Sequence, residues 1–342
     1  MKIIIEIGHP GHVHQFRKVI SKLINGGHDV LVVAKKKESA IDLLKFYKIK
    51  HKIIGKNYKN LVLKLYSLLM SVINLFIIAR NFSPDLFISR VSPTSSFVSL
   101  LRGSNHIAFN DTEHCTLTDK LALPFCHKVI TPMSFSKDLG ENQISYNSFT
   151  EMFYVSDLKK PLASKIYNKL GINSSDKITL LRFVSWSAAH DIGFKGISIK
   201  EKVLLVKYLS QYSKVFISSE SKLPSSLKSY SLKTNPSEFH DVLGLSSLYV
   251  GDGATTASEA ALMGVPSIYT NPIELGYIDE LERKKLLFQE LTFNKIIRRS
   301  SNIIKSNYNR ETERLSKILR SNLVDPVEFS MSIIENQNIY EK

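Results

Sequence analysis

Four stretches of this sequence have the residue types and spacing to hold a phosphate or to move a proton. In Gly251-Asp-Gly-Ala-Thr-Thr-Ala-Ser-Glu259, Gly251 and Gly253 let the backbone turn tightly and approach a ligand. Thr255, Thr256 and Ser258 bring hydroxyls beside the free N–H groups expected at a helix start, a ready anion site. Glu259, further into the same helix, can accept hydrogen bonds from a ribose diol. In Gly8-His-Pro-Gly-His-Val-His14, Gly8 and Gly11 keep the backbone open, and His12 is the first candidate for a general base or a diphosphate contact. His14 is expected on the other face of the helix that follows. Asn110-Asp-Thr-Glu-His114 bunches Asp111, Glu113 and His114 just past a strand, where a carboxylate could be the general base or orient His12. Ser185 to Gly196 holds the single tryptophan, Trp186, the adjacent His190 and Asp191, and Lys195.

Each stretch also has an ordinary structural reading. The glycine segment can be an α/β crossover with a polar helix start. The histidines and the 110–114 cluster can cap the helices they precede, and Trp186 can be core. Phe239 is expected to pack in the core, beside His240.

The elements that must position these residues follow from periodicity and turn signals. Lys2–Ile7 reads as a strand, Val13–Asn25 as an amphipathic helix closed by Gly26-Gly27, Asp29–Ala34 as a strand and Glu38–Tyr47 as a helix. Lys50–Ile54 completes a βαβαβ half of a doubly wound sheet, whose ligands sit beyond the carboxyl ends of the strands. Leu61–Ala79 is strongly apolar, but Lys64 and Asn74 inside it and Arg80 at its end favour a buried or membrane-surface helix over a span. The lysines at 35–37, 45–59 and 64 would suit an anionic bilayer.

Pro84–Ser89, His106–Phe109 and Lys128–Thr131 read as further strands, with a Ser/Thr-rich turn at 92–96 and a helix to Leu101. Residues 142–160 are less regular and read as a linker. Lys177–Val184 opens a second α/β half, followed by a helix over 199–212 and a strand over 214–219 that ends in Glu220. A short helix begins near Pro236, and Ser247–Val250 and Val265–Thr270 flank the glycine segment as strands. Residues 275–320 read as largely helical and basic, and a last helix covers 326–337. The expected domains are 1–150 and 151–325, with 326–342 returning to the first.

The net charge of +15 and the basic pI point to acidic partners. No nucleic-acid module signature is present, so a nucleic-acid binder ranks last. Two cysteines in 342 residues do not suggest a secreted disulfide scaffold, and the N-terminus is too soon charged for a signal peptide. A cytoplasmic protein is expected, with contact to the inner face of the membrane.

Two parallel-sheet halves with glycine-rich loops are the outline of a GT-B glycosyltransferase: α/β, two Rossmann-like domains facing across a cleft. The segment Asp252–Pro266 is similar to the donor-nucleotide helix of the peptidoglycan N-acetylglucosaminyltransferase family that makes lipid II, in which the residue matching Glu259 holds the ribose. Gly8-His-Pro-Gly-His12 resembles a shortened form of that family's N-domain loop. Ile7–His14, Asn110–His114, Arg182–Gly196 and Phe216–Glu220 resemble more closely a prokaryotic family known as a domain of unknown function. That family is related to GT-B transferases and to the non-hydrolysing UDP-N-acetylglucosamine 2-epimerases. The resemblance implies a nucleotide-sugar site built from Gly8, Gly11, Arg182, His190, Asp191, Lys195, Glu220, Phe239, Gly253, Thr255, Thr256, Ser258 and Glu259. It implies no cofactor and no metal, with Arg182 or Lys195 and a helix dipole in a metal's place. The expected reaction is transfer from a UDP-linked sugar to a lipid-linked or glycan acceptor; the alternative is 2-epimerisation of the sugar nucleotide.

Overall fold

The computed structural model describes residues 1–56, 58, 60–156, 163–184, 197–306 and 308–336. The chain divides into two compact units, Met1–Tyr154 with Val324–Lys342, and Val155–Leu323.

The first unit opens with β1 (Lys2–Ile7), α1 (Pro10–Asn25), β2 (Asp29–Lys36), α2 (Glu38–Phe46) and β3 (His51–Lys56). It continues with α3 (Leu61–Phe82), β4 (Leu86–Arg90), α4 (Pro93–Arg102), β5 (Asn105–Phe109), α5 (Thr116–Ala122), β6 (Lys128–Pro132) and β7 (Gln143–Tyr146). All pairings are parallel, in the order β3-β2-β1-β4-β5-β6-β7. A parallel strand is covered on both faces, which is why Ile3, Ile4 and Ile5 are consecutive and all fully buried.

In α1, Pro10 takes the first turn, where its missing N–H costs nothing, and the His9 side chain caps by accepting from the Gly11 N–H. The helix therefore starts earlier than its apolar periodicity suggests. Gly11 and His12, expected in a loop, lie in its first turn.

Residues 142–160 were expected as a linker, but 143–146 form the edge strand β7, and α6 (Met152–Val155) follows. The aromatics decide this. Tyr146, Phe149, Phe153 and Tyr154 are buried, with Phe153 edge-on to Phe109 and Tyr146 stacked near Phe329.

The second unit holds α7 (Ala163–Leu170), β8 (Ile178–Phe183), α8 (Ile199–Leu209), β9 (Lys214–Ser219), α9 (Phe239–Leu245), β10 (Leu248–Gly251), α10 (Ala254–Leu262) and β11 (Ser267–Tyr269). Then come α11 (Gly276–Arg283), β12 (Leu287–Gln289), α12 (Phe293–Lys305) and α13 (Tyr308–Ser321). Its sheet is again parallel, in the order β12-β11-β10-β8-β9. β12 interrupts a stretch expected as helix; at three residues it is too short to show a period of two. The chain closes with α14 (Pro326–Glu335), capped by Asp325 and packed on α1, where Lys22 pairs with Glu328.

Candidate functional site

The order of the first sheet reverses direction at β1 and β4, and ligands of such sheets sit where the carboxyl ends of those two strands part. Gly8 to His12 follow β1, and Arg90 closes β4 ahead of Val91 to Ser96. The Gly8 N–H donates to His12 Nδ1 at 3.2 Å. An N–H can only donate, so Nδ1 is the bare nitrogen and the neutral ring carries its proton on Nε2. Burial lowers the His12 pKa well below its ordinary value, and the charges of Arg90, His9, Lys37 and Lys35 lower it further. His12 is thus held as a neutral hydrogen-bond donor in a basic setting. Its lone pair is already engaged, which argues against the expected role as base.

Arg90 ends β4 and is the residue sequence reasoning missed. Its guanidinium pairs with Asp111 and donates to Gln15 Oε1 at 3.1 Å. Burial opposes the Arg90 charge, but the Asp111 carboxylate outweighs it and raises the arginine's pKa. Burial likewise pushes Asp111 up, yet Arg90 and hydrogen bonds from Thr150 and Thr112 hold it below the usual carboxylate range. Glu6, also unforeseen, is buried one residue before the end of β1. It accepts from Ser92 Oγ at 2.7 Å and Ser95 Oγ at 2.5 Å, with Lys35 Nζ at 3.6 Å. A charged residue at or next to the end of an apolar strand was the available signal for both.

The 110–114 cluster does not converge. Asp111 turns to Arg90. Glu113 is buried and accepts the Ser136 N–H at 3.2 Å, while His114 is exposed. His14 lies against Tyr154, ring centres 5.3 Å apart.

In the second unit the reversal falls between β8 and β10. Asp252, just past β10, accepts the Val184 N–H at 2.8 Å, and its own carbonyl accepts from Asn271 Nδ2 at 3.1 Å. The two strand ends are so close that a Cβ on Gly251 would stand 2.6 Å from the Arg182 carbonyl oxygen and from the Tyr249 hydroxyl. That position accepts only glycine. Gly253 is the N-cap of α10, and among the described residues no side chain caps the helix, so its first N–H groups point beyond the strand ends.

Arg182, Glu220 and Phe239 come together here. Arg182 donates to Ser218 Oγ at 2.9 Å and Glu220 Oε1 at 3.0 Å, with its guanidinium carbon 5.6 Å from the Phe239 ring centre. Half-buried, Phe239 is a wall beside the arginine rather than core. Glu259 is buried in α10, its Oε1 3.1 Å from His240 Nε2.

Of the three expected hydroxyls, only Thr255 is exposed. Thr256 is buried, and Ser258 is fully buried with an Oγ that finds no partner among the described residues. α10 is covered by β10, β11 and α13, and at 100° per residue position 258 turns inward. Trp186, His190, Asp191 and Lys195 lie outside the described residues. Among the described residues no group of three or more His, Cys, Asp or Glu side chains could hold a metal ion. A cavity of about 330 Å³ opens further along the sheet, beside Thr270 and Leu291; its one carboxylate, Glu201, belongs to the capping box of α8.

A family model described as "protein of unknown function (DUF354)" matches residues 1–329. The chain belongs to the DUF354 family. This DUF354 chain is 27% identical over 299 residues to the uncharacterized protein MJ0665 of Methanocaldococcus jannaschii, over 83% of its own length and 86% of that protein. Its fold matches the UDP-GlcNAc 2-epimerase of Neisseria meningitidis bound to UDP-GlcNAc, with a TM-score of 0.67 at 13% identity and coverage of 98% and 99%. It also matches the glycosyltransferase VinC in complex with dTDP, with a TM-score of 0.63 at 12% identity and coverage of 98% and 99%. At these identities the likeness carries the fold: a GT-B-like α/β class with two parallel-sheet units, common to transferases and 2-epimerases.

Proposed function

We propose that this DUF354 protein is a metal-independent GT-B glycosyltransferase that takes its sugar from a nucleotide diphosphate, a UDP-linked donor, for surface-glycan or glycolipid assembly. The observation that carries the reading is the start of α10: uncapped by any described side chain, at the strand reversal, with Arg182 on one side and the His240-anchored Glu259 in the same helix. A departing diphosphate gains negative charge as the anomeric C–O bond breaks. Aligned N–H groups and a guanidinium fixed by Ser218 and Glu220 oppose that charge without a metal. Glu259 binds the ribose hydroxyls.

The first unit takes the acceptor, a lipid-linked or glycan hydroxyl. There His12 donates from Nε2 to a substrate oxygen. Arg90, steadied by Asp111, adds positive charge. Glu113, the buried carboxylate past β5, takes the acceptor hydroxyl's proton. No cofactor takes part, and the enzyme works in the cytoplasm.

The second reading, a sugar-nucleotide 2-epimerase, rests on the same donor pocket and on the two carboxylates Asp111 and Glu113 placed just past β5. Incubation of the protein with UDP-N-acetylglucosamine in D2O separates the two. The transferase reading expects slow UDP release, quickened by an acceptor, with the C2 proton retained. Deuterium at C2, or a manno product, would establish the epimerase instead.

A further inference from the structure

The helix α3 is built inside out. At 100° per residue, positions 67, 71, 75 and 79 share one face. That face is buried, and half of it is serine: Ser67, Ser71, Leu75 and Ala79. The opposite face carries Val62, Leu65, Tyr66, Leu69, Ile73 and Ile77, all exposed, with Val62 at 74%, Leu65 at 69% and Leu69 at 58%. A surface helix of a protein surrounded by water shows the reverse pattern. Two polar side chains of the helix are used on the edge strand. Ser67 Oγ donates to the Lys56 carbonyl, and Asn74 Nδ2 donates to the Ile54 carbonyl at 3.0 Å. The approach is so close that a Cβ on Gly55 would stand 2.1 Å from Ser71 Oγ.

Those contacts, with Leu75 and Ala79 in the core beside Ile54 and Phe87, fix α3 to the sheet. Its mean hydropathy of 2.1 over the best 18-residue window within Val62–Phe82 therefore does not mark a helix that leaves the protein to cross a bilayer. The charge around the stripe has one sign. Between Asp42 and Asp85 the chain has no acidic residue, while Lys48, Lys50, Lys52, Lys56 and Lys64 are all exposed.

We infer that the outer face of α3 is a docking surface for an anionic lipid bilayer, with the helix lying in the plane of the interface. From Val62 to Ile77 the stripe runs about 22 Å at 1.5 Å per residue. Its side chains enter the acyl boundary while the flanking lysines meet the lipid phosphates. Charge complementarity selects this occupant. A second copy of the chain would set one acid-free, lysine-rich surface against another and would have to overcome like-charge repulsion. The inference stands apart from the sugar reaction, since none of these residues belongs to either strand-reversal site.

The test uses the full chain with vesicles of phosphatidylcholine alone and of phosphatidylcholine with phosphatidylglycerol. The protein should float with the anionic vesicles at low salt, at least tenfold more tightly than with the neutral ones, and binding should weaken as salt rises. L69E/I73E, placed on exposed positions, should lose at least tenfold in binding at an unchanged melting temperature. K48S/K52S/K64S should lose the preference for anionic lipid. Absence of flotation would overturn the inference, as would flotation that neither variant reduces. A dimer that L69E/I73E dissociates, with no vesicle binding by the parent, would assign the face to self-association instead.

Discussion

His12 gives the sharpest test of how the first unit's site works, because two isosteric substitutions split its two nitrogens. The Gly8 N–H occupies Nδ1 at 3.2 Å, leaving Nε2–H as the ring's only free polar group. In His12→Asn the amide oxygen sits near the place of Nδ1 and keeps the Gly8 bond, but the donor at Nε2 is gone. In His12→Gln the amide nitrogen sits near the place of Nε2 and keeps a donor. A hydrogen bond to a charged partner contributes about 1.5–3 kcal/mol, or about 10- to 150-fold in a rate or affinity. His12→Asn should therefore lose about that factor in kcat/KM for sugar transfer. His12→Gln should stay within about tenfold of the parent, with the acid limb of its pH profile in place. Steady-state kinetics with saturating acceptor, checked by thermal melts, reads both. Equal losses in the two variants, with disappearance of the acid limb, would refute the donor role and restore His12 as a base.

Two further outcomes follow from buried charges in the same unit. His106 is fully buried between Ser89, Ser96 and Cys126, and burial lowers its pKa from 6.5 to about 3. The unfolded chain binds this proton more readily, so the neutral ring's stabilisation is complete above pH 6.5 and is lost as pH falls toward 3. Between pH 7.5 and 5 this costs about 2 kcal/mol. Urea unfolding at the two pH values should show that difference, and His106→Gln should reduce it by most of that amount; an unchanged difference would contradict the assignment. Arg90→Met strands the Asp111 carboxylate, whose side chain is 15% exposed, and should destabilise the unit by about 3–5 kcal/mol. R90M/D111L should recover a large part of that loss, whereas additive losses would show that the pair is not coupled.

Local pattern was enough for what depends on neighbours in sequence. The βαβ around Gly251 is legible because a short apolar strand, two glycines and an alanine-rich helix each declare themselves within a few residues. What sequence could not supply was which strand lies beside which. Arg90 matters because β4 pairs with β1, eighty residues away, and so brings it to His12. From the sequence the grouping of Asp111, Glu113 and His114 looked tighter, yet their side chains go to three different surroundings. Ser258 was misassigned for a related reason: a hydroxyl near a helix start reads as a ligand contact until the helix's buried face is known. The register of α1 turned on Pro10, whose preference for a first helical turn outweighs its look as a loop residue. The inside-out character of α3 lay in plain view as serines spaced by four, but strong overall hydropathy masks which face they mark.

The central claim is that a nucleotide diphosphate binds the second unit at the start of α10, with Glu259 on its ribose. Calorimetric titration of UDP into the parent and into Glu259→Gln tests it most directly, since the amide keeps a partner for His240 and so spares the buried helix. The account predicts saturable binding by the parent and at least a tenfold loss in the variant at an unchanged melting temperature. Equal affinity in the two proteins, or no UDP binding by the parent, would contradict it.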